Sequence, residues 1–173
     1  ALQLVEELAD SDRRVMFDSG GYYVQTGKID YDYLFYPLLE IYRQNQWASI
    51  YVLPDDVPTS RDTPEEVAYK VENTYRTSAL FFHEMPDELK PRAMPVVHGH
   101  NQRQIDACLE TYLALGVKQI GFGSFGTMGG KQEVNIASQS AIELARYVIQ
   151  VAHMYGLKVH LFGLGVPAIT AML

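Results

Sequence analysis

Short apolar runs that end in polar or glycine residues recur along this chain, and they constrain its fold more than any other feature. The clearest is VMFDSGGYYV at residues 15–24. Its apolar half is typical of a buried strand, whereas the carboxylate, the two glycines and the paired aromatics that follow are typical of a binding site. Four later runs have the same character, at residues 49–56, 93–100, 119–124 and 158–165.

Segments with helical periodicity lie between these runs. The chain therefore alternates helices with strands, which predicts parallel strands, right-handed crossovers and a site at the carboxyl ends of the strands. A doubly wound sheet and a barrel both satisfy this order, but no G-x-G-x-x-G follows the first strand, which argues against a dinucleotide-binding unit. Five predicted strands are fewer than a complete barrel needs. We therefore expect an α/β fold that is an incomplete, TIM-barrel-like (βα) barrel, with residues 1–173 as a single partial domain.

Local signals predict several element ends. Thr63 followed by Pro64 and Glu66 is a capping-box start for a helix that runs to about residue 82. Gly116 is predicted to end the next helix. A helix is also predicted over residues 30–45, although a proline interrupts its beginning.

Composition limits the class of protein. The chain has 173 residues, 47% of them apolar, and a formal net charge of −7, so a sizeable core is possible and a polybasic nucleic-acid surface is excluded. Cys108 is the single cysteine, which excludes an internal disulfide and a cysteine-cluster zinc site. No apolar run approaches the roughly 20 residues that cross a membrane. We therefore expect a cytoplasmic protein with no membrane partner.

Several residues at the strand tips are candidates for function, each with a structural alternative. Asp18 and Asp56 are common turn residues, but in a barrel both would lie at carboxyl tips, which favours a role in binding. His98 either serves the site or caps a loop. Its spacing from His100 is not that of a metal site, so no metal is predicted. The glycine-rich segment 121–130 is a weak candidate for a phosphate cradle, because it lacks the lysine and serine of a P-loop.

The chain resembles the tRNA-guanine transglycosylase superfamily, whose members exchange bases in queuosine, archaeosine and DNA 7-deazaguanine modification. The resemblance rests on five segments that occur in the family's order. They are DSGGY at 18–22, DVPT at 56–59, VVHG at 96–99, GFGSF at 121–125 and LFGLGVP at 161–167. Together they span most of the chain and look like the third to seventh strands of the family's barrel.

The resemblance implies a role for each matching residue. Asp56 would accept the N1–H and the exocyclic amine of guanine or a 7-deazaguanine, and Asp18 would be the catalytic residue that reads the base or moves protons. Tyr22 and Phe162 would stack on the two faces of the base. His98 and the backbone amides around Gly123, Ser124 and Phe125 would bind its carbonyl oxygen. The other predicted substrate contacts are Ser19, Gly20, Gly21, Gly99 and Gly163.

Departures from the family pattern limit what this chain is expected to do. The family's covalent nucleophile, an aspartate, would lie beyond Leu173, as would the cysteine and histidine cluster that binds structural zinc. No cofactor is therefore predicted within the chain, and zinc only if further residues follow. Tyr23 stands where the family has glutamine, and Ser124 where it has glycine. The isolated chain is thus predicted to bind a base without exchanging it.

Two other functions stay open. One is a different (βα) barrel enzyme that binds a phosphorylated metabolite in its glycine-rich loops, and the other is a non-catalytic partner subunit of a transglycosylase. If the chain is a transglycosylase, its acceptor is tRNA or DNA, and the sequence does not choose between them. Five parallel strands would leave two open edges, so a homo-oligomer is also an expectation.

Overall fold

Strands and helices alternate in this computed structural model, which describes residues 6–7, 13–25, 27–59, 61–123 and 139–163. The strands of this part of the chain are β1 Met16–Phe17, β2 Ile50–Val52, β3 Ala93–Met94, β4 Val96–Val97, β5 Gln119–Phe122 and β6 Lys158–Leu161. Its α-helices are α1 Gly21–Gln25, α2 Phe35–Gln44, α3 Pro64–Glu84, α4 Gln102–Leu115 and α5 Gln139–Met154. Short 3₁₀ turns lie at Tyr31–Tyr33 and Lys90–Arg92.

The strands form two parallel sheets of three, in the order β1-β2-β3 and β4-β5-β6. Strands β3 and β4 are the two halves of the strand predicted over residues 93–97. Pro95 separates them because it has no amide hydrogen to donate to a ladder. Its carbonyl still accepts a hydrogen bond from the Gly121 amide at 2.9 Å, so this one segment borders both sheets. The predicted α/β fold with parallel strands is confirmed.

Side chains on the strands alternate between two faces, as the pleat of a strand requires. Phe17, Tyr51, Val97 and Phe122 belong to the larger hydrophobic core, which the strands share with the helices. The alternate positions form a smaller cluster on the opposite face. Its members are Met16, Ile50, Val52, Met94, Val96 and Phe162. This second face leads to the cavity described below.

The helix ends agree with the local signals in the sequence. Thr63 Oγ accepts from the Glu66 amide at 3.2 Å, and the Glu66 carboxylate accepts from the Thr63 amide at 2.7 Å, which completes the predicted capping box. Gly116 ends α4 in the left-handed conformation, with φ of 72°. None of the helices in the described ranges combines the length and apolar character needed to cross a bilayer.

Two segments differ from the sequence prediction. Residues 22–23, predicted as a loop, lie in α1, which follows a turn at Gly20 with φ of 86°. The helix predicted over residues 30–45 is divided into a 3₁₀ turn and α2. Pro37 lies in the first turn of α2, where its missing amide hydrogen would have no partner within the helix.

Buried tyrosines tie the helices to the strands. The Tyr42 hydroxyl on α2 donates to the Val52 carbonyl at 2.6 Å, and the Tyr112 hydroxyl on α4 donates to the Val96 carbonyl at 2.8 Å. Both tyrosines are fully buried. A buried carbonyl without a donor is costly, so these bonds fix the ends of β2 and β4, from which the cavity residues extend.

Replacing Tyr42 with phenylalanine tests this link. The ring remains, but the Val52 carbonyl loses its hydroxyl donor, so we expect the free energy of unfolding to fall by about 1–3 kcal/mol. Urea denaturation measures the change. The matched control is Tyr36→Phe on the same helix, where the side chain is 76% exposed and little change is expected. Equal effects of the two substitutions would contradict the prediction.

Candidate active site

A cavity lies at the carboxyl ends of β1, β2, β4, β5 and β6, and the residues at or just after these ends line it. Parallel strands place their carboxyl ends together, which is where α/β proteins bind ligands. Its volume is about 230 Å³, below the roughly 300–1,000 Å³ of drug-sized ligand pockets, so it suits a small molecule. The lining residues are Asp18, Gly21, Val52, Asp55, Val57, Val96, His98, Gly123, Phe162 and Gly163.

The carboxylate of Asp55 is the most constrained polar group of the cavity. Asp55 is only 6% exposed. The Ser19 hydroxyl donates to its Oδ1 at 2.7 Å, and Nε2 of His98 lies 2.8 Å from its Oδ2. Residues from two other loops, Ser19 and His98, therefore hold this buried carboxylate in a single orientation. A carboxylate oxygen accepts more than one hydrogen bond, so both oxygens retain capacity for a ligand.

The neighbouring Asp56 faces helix α3 and is not among the cavity-lining residues. Its carboxylate accepts from the Asn73 amide at 3.1 Å. Its backbone amide donates to the Thr74 hydroxyl at 2.9 Å, and burial is the main cause that raises its pKa. Next to it, the Ser78 hydroxyl donates to the Pro54 carbonyl at 2.9 Å. These contacts anchor the loop after β2 to α3 and leave Asp55 directed toward the cavity.

His98 is buried, with 1% of its surface exposed. Nε2 of His98 and Oδ2 of Asp55 share a buried hydrogen bond of 2.8 Å. The other ring nitrogen, Nδ1, is buried without a hydrogen-bond partner among the described residues. Such a group is costly to leave unsatisfied, and it is here part of a residue that lines the cavity. His98 therefore contributes its ring to the cavity wall, while its Nδ1 atom is closed to solvent.

Asp18 supplies a second carboxylate to the same cavity. Its side chain stays partly exposed at the cavity wall. Burial of the remainder raises its pKa, and the charge of Asp55 raises it further, while hydrogen bonds from the backbone at Ser19 and Gly20 act in the opposite direction. A carboxyl group with a raised pKa beside a second carboxylate is suited to accept and release protons.

Glycines make room for the polar and aromatic side chains. A β-carbon at Gly21 would lie 2.5 Å from Oδ1 of Asp55. A β-carbon at Gly123 would overlap the His98 ring, and one at Gly121 would overlap the Phe162 ring. The Phe162 ring forms an apolar wall and meets the His160 ring edge-on at 4.7 Å.

The structure brings many of the predicted site residues together. Those that line the cavity are Asp18, Gly21, His98, Gly123, Phe162 and Gly163. Ser19 lies behind the cavity as a partner of Asp55. Gly20 forms the turn before α1, and Gly99 packs against the start of α4, where a β-carbon would lie 3.0 Å from Cβ of Gln104. Asp56, predicted to bind the base, faces α3 instead.

Some of the predicted ligand contacts lie outside the described residues, and one predicted donor already has a partner within the protein. Ser124, Phe125 and the side chain of Tyr22 are outside the described part of the chain. The Gly123 amide, predicted to bind a carbonyl oxygen of the ligand, already donates to the Val97 carbonyl at 3.1 Å. Gly123 lines the cavity, and its lack of a side chain leaves room for the His98 ring.

Sequence reasoning missed Asp55 and the apolar lining residues Val52, Val57 and Val96. The alternation of β2 places Val52 on the cavity face and Leu53 in the main core, so continuing the same alternation selects Asp56 rather than Asp55. The loop departs from strand geometry at Pro54, whose carbonyl bonds to Ser78. No signal in the sequence marks this change of direction.

Comparison with protein-family models and with curated proteins finds no match to this chain. Within the described residues, no group of three or more histidine, cysteine, aspartate or glutamate side chains is arranged to hold a metal ion. The chemistry open to the site follows from its own geometry. That geometry offers two carboxylates, a histidine and an aromatic wall to one small ligand.

Substituting Gly123 with alanine should disturb the His98 ring. The added methyl group overlaps this ring, which Asp55 holds from the other side, so we expect a loss of about 1–3 kcal/mol in unfolding free energy and shifted imidazole NMR signals of His98. Gly116→Ala is the control, because it meets no atom within 4 Å and adds only left-handed strain. His98 signals that move no more in Gly123→Ala than in the control would contradict the expected clash.

The raised pKa of Asp18 predicts a pH-dependent effect of Asp18→Asn. A carboxyl group whose folded-state pKa lies above its ordinary value of 3.8 stabilises the protein when protonated, and this contribution is lost as pH rises through the folded pKa. Asparagine removes the penalty of ionisation. We expect the substitution to increase the unfolding free energy at neutral pH, and this gain to vanish below the ordinary pKa. Denaturation curves of both proteins between pH 3 and 7, about the range over which carboxyl groups titrate, measure the difference in unfolding free energy. A difference that does not change with pH would show that it does not come from ionisation of Asp18.

Proposed function

We propose that this chain is the base-recognition core of a transglycosylase that exchanges guanine for a 7-deazaguanine in tRNA or DNA. The observation that carries the proposal is the convergence of Asp18, Asp55 and Phe162 on one small cavity. Two carboxylates beside an aromatic ring suit a flat ligand that has hydrogen-bond donors along one edge. The resemblance of residues 18–22 and 161–167 to the tRNA-guanine transglycosylase superfamily supports the same function.

The strand order supports an incomplete (βα) barrel. Each strand neighbours the next one in the chain, with β3 and β4 as two halves of one segment. If the crossovers are right-handed, as they almost always are, this order places all the helices on one face of the strands. The smaller apolar cluster on the opposite face would then belong to the barrel interior. A doubly wound sheet would instead reverse its strand order at a switch point.

In this proposal Asp55 reads the edge of the base, the role that the sequence suggested for Asp56. Guanine and 7-deazaguanine present N1–H and an exocyclic amine side by side, and a carboxylate accepts both. Asp55 is buried, faces the cavity and is oriented on both oxygens by Ser19 and His98. Hydrogen bonds to a charged acceptor contribute roughly 1.5–3 kcal/mol, and a preoriented acceptor loses less entropy on binding.

Phe162 would stack on one face of the base, and Gly163 would let the backbone approach it closely. The resemblance assigns Tyr22 to the opposite face. Asp18, with its raised pKa, would move the proton that a leaving or entering base requires. The covalent step at the sugar would use a carboxylate that we assign to none of the described residues.

The charge of the cavity opposes a phosphate ligand. Two of its lining residues are carboxylates, and none of the described lining residues is lysine or arginine. A phosphate at this position would meet like charge in a partly buried site, where repulsion is weakly screened. A base that donates hydrogen bonds satisfies the same carboxylates.

Asp55→Asn and Asp56→Asn form a matched pair that tests the proposal. An asparagine at position 55 accepts with one oxygen and turns an amide toward the donors of the base, so we expect roughly tenfold to hundredfold weaker binding of 7-deazaguanine, as lost charged hydrogen bonds predict. Asp56→Asn changes a carboxylate that faces α3 and keeps an oxygen that accepts from Asn73, so the loop anchor is retained and the affinity should stay near wild type. Isothermal titration calorimetry with guanine, 7-deazaguanine and a sugar phosphate measures binding, and denaturation curves verify that both variants fold.

The same titrations separate the alternatives. Binding of the sugar phosphate and of neither base would reject the proposed function in favour of an enzyme acting on a phosphorylated metabolite. Weaker base binding in Asp56→Asn, with Asp55→Asn unaffected, would return the recognition role to Asp56.

A further inference from the structure

We propose that Tyr23 and Lys28, beside the cavity, contact the nucleotide that flanks the exchanged base: the Tyr23 ring stacks on the flanking base, and the Lys28 ammonium binds a neighbouring phosphate. The partner is a single-stranded polynucleotide, RNA or DNA. This inference rests on the proposed function, because it requires an acceptor strand whose target base enters the cavity. Neither residue is among those that line the cavity.

Tyr23 lies next to the cavity wall. Gly21 lines the cavity, and Tyr23 follows two residues later in the short helix α1. A β-carbon at Gly20 would lie 3.9 Å from Cδ2 of Tyr23, so the ring adjoins the turn that connects β1 to this wall. A strand whose target base occupies the cavity must place its neighbouring nucleotides on the adjoining surface.

The side chain of Tyr23 is accessible to such a nucleotide, because the residue is 50% exposed. The Lys28 ammonium lies over the ring, 5.4 Å from its centroid. A cation over an aromatic ring is held weakly at an exposed site, so an incoming base can replace it. Stacking of a base on an exposed aromatic ring is favourable for every base, since each has a flat π-face.

Backbone hydrogen bonds keep Lys28 beside Tyr23. The Tyr23 carbonyl accepts from the Lys28 amide at 2.9 Å and from the Ile29 amide at 3.4 Å. The chain reverses at Gly27, which has the left-handed φ of 69°. An ammonium displaced from the ring therefore stays close to the stacked base, where the phosphates of the same strand pass. Such preorganisation lowers the entropy lost on binding.

The charge of this surface suits a contact that depends more on stacking than on attraction. None of the ion pairs among the described residues involves Lys28, so its charge is available to a phosphate. The next charged residues along the chain are Asp30 and Asp32, and the Asp30 carboxylate caps the 3₁₀ turn by accepting from the Asp32 amide. One lysine in a chain of net charge −7 attracts a polyanion only weakly, so we expect the ring to supply most of the affinity.

Tyr23 is also a departure from the family pattern, which has glutamine at this position. An exposed tyrosine supplies a rigid aromatic surface that glutamine lacks. The stacking contact is therefore specific to this chain and is not one that the resemblance implies.

Short single strands of RNA and of DNA test the stacking contact with the whole chain. Each contains one guanine flanked on both sides by 2-aminopurine, a fluorescent base whose emission changes on stacking. We expect Tyr23→Ala to bind these strands roughly five- to hundredfold more weakly, as loss of one stacked base predicts, and to lose the emission change at saturation. Tyr23→Phe keeps the ring and should retain both. The matched control is Tyr36→Ala, which removes another exposed tyrosine.

Lys28→Gln tests the phosphate contact. Loss of one phosphate contact should reduce the slope of log affinity against log salt concentration by about 0.7, while the 2-aminopurine signal at saturation persists. Lys118→Gln is the control, because this exposed lysine precedes β5 and so lies at the amino ends of the strands. An equal change of slope in both variants would overturn the assignment of Lys28. Whichever of RNA and DNA binds more tightly identifies the acceptor.

Titration of the same variants with free 7-deazaguanine separates this inference from the proposed function. Tyr23→Ala and Lys28→Gln should bind the free base as wild type does. The stacking contact would be overturned, with base recognition intact, if Tyr23→Ala bound the strands as wild type does or if wild type bound the base and neither strand. A loss of self-association in Tyr23→Ala, with unchanged strand binding, would also overturn it and assign this surface to a second copy. Failure of wild type to bind guanine or 7-deazaguanine would overturn the proposed function itself.

Discussion

The site depends on one buried carboxylate that the fold holds in place. Asp55 is almost fully buried, and an isolated carboxylate in such surroundings would be strongly disfavoured. The Ser19 hydroxyl donates to one of its oxygens, and Nε2 of His98 shares a hydrogen bond with the other. The loops after β1 and β4 are thereby linked to the loop after β2. The carboxyl group that lines the cavity is thus also the group that connects these three loops.

The orientation of Asp55 originates in helix α3 rather than in the strand that precedes it. Thr74 and Ser78 form hydrogen bonds with backbone groups of Asp56 and Pro54 that would otherwise lack partners, and Asn73 donates to the Asp56 carboxylate. Asp56 therefore acts as a positioning residue in our proposal. The two adjacent carboxylates thus have different positions: Asp56 contacts helix α3, and Asp55 lines the cavity.

Properties set by neighbouring residues were predictable from the sequence, and properties set by distant residues were not. The capping box at Thr63, the helix stop at Gly116 and the placement of Asp18, His98 and Phe162 at strand ends all follow from local pattern. Pattern could not distinguish Asp55 from Asp56, because Ser78 lies more than 20 residues away (|i−j| = 24) and redirects the loop at Pro54. It also did not anticipate that Pro95 would divide one predicted strand between two sheets.

The shape of the cavity follows from contacts between neighbouring strands. Asp55, after β2, rests on Gly21, after β1; Phe162, after β6, rests on Gly121 of β5; and His98, after β4, rests on Gly123, after β5. In every pair the functional side chain comes from one strand end and the glycine from the adjacent one. The lining is therefore assembled from pairs of neighbours, and the sequential strand order is what makes these neighbours available. Any rearrangement of that order would separate each side chain from the glycine that makes room for it.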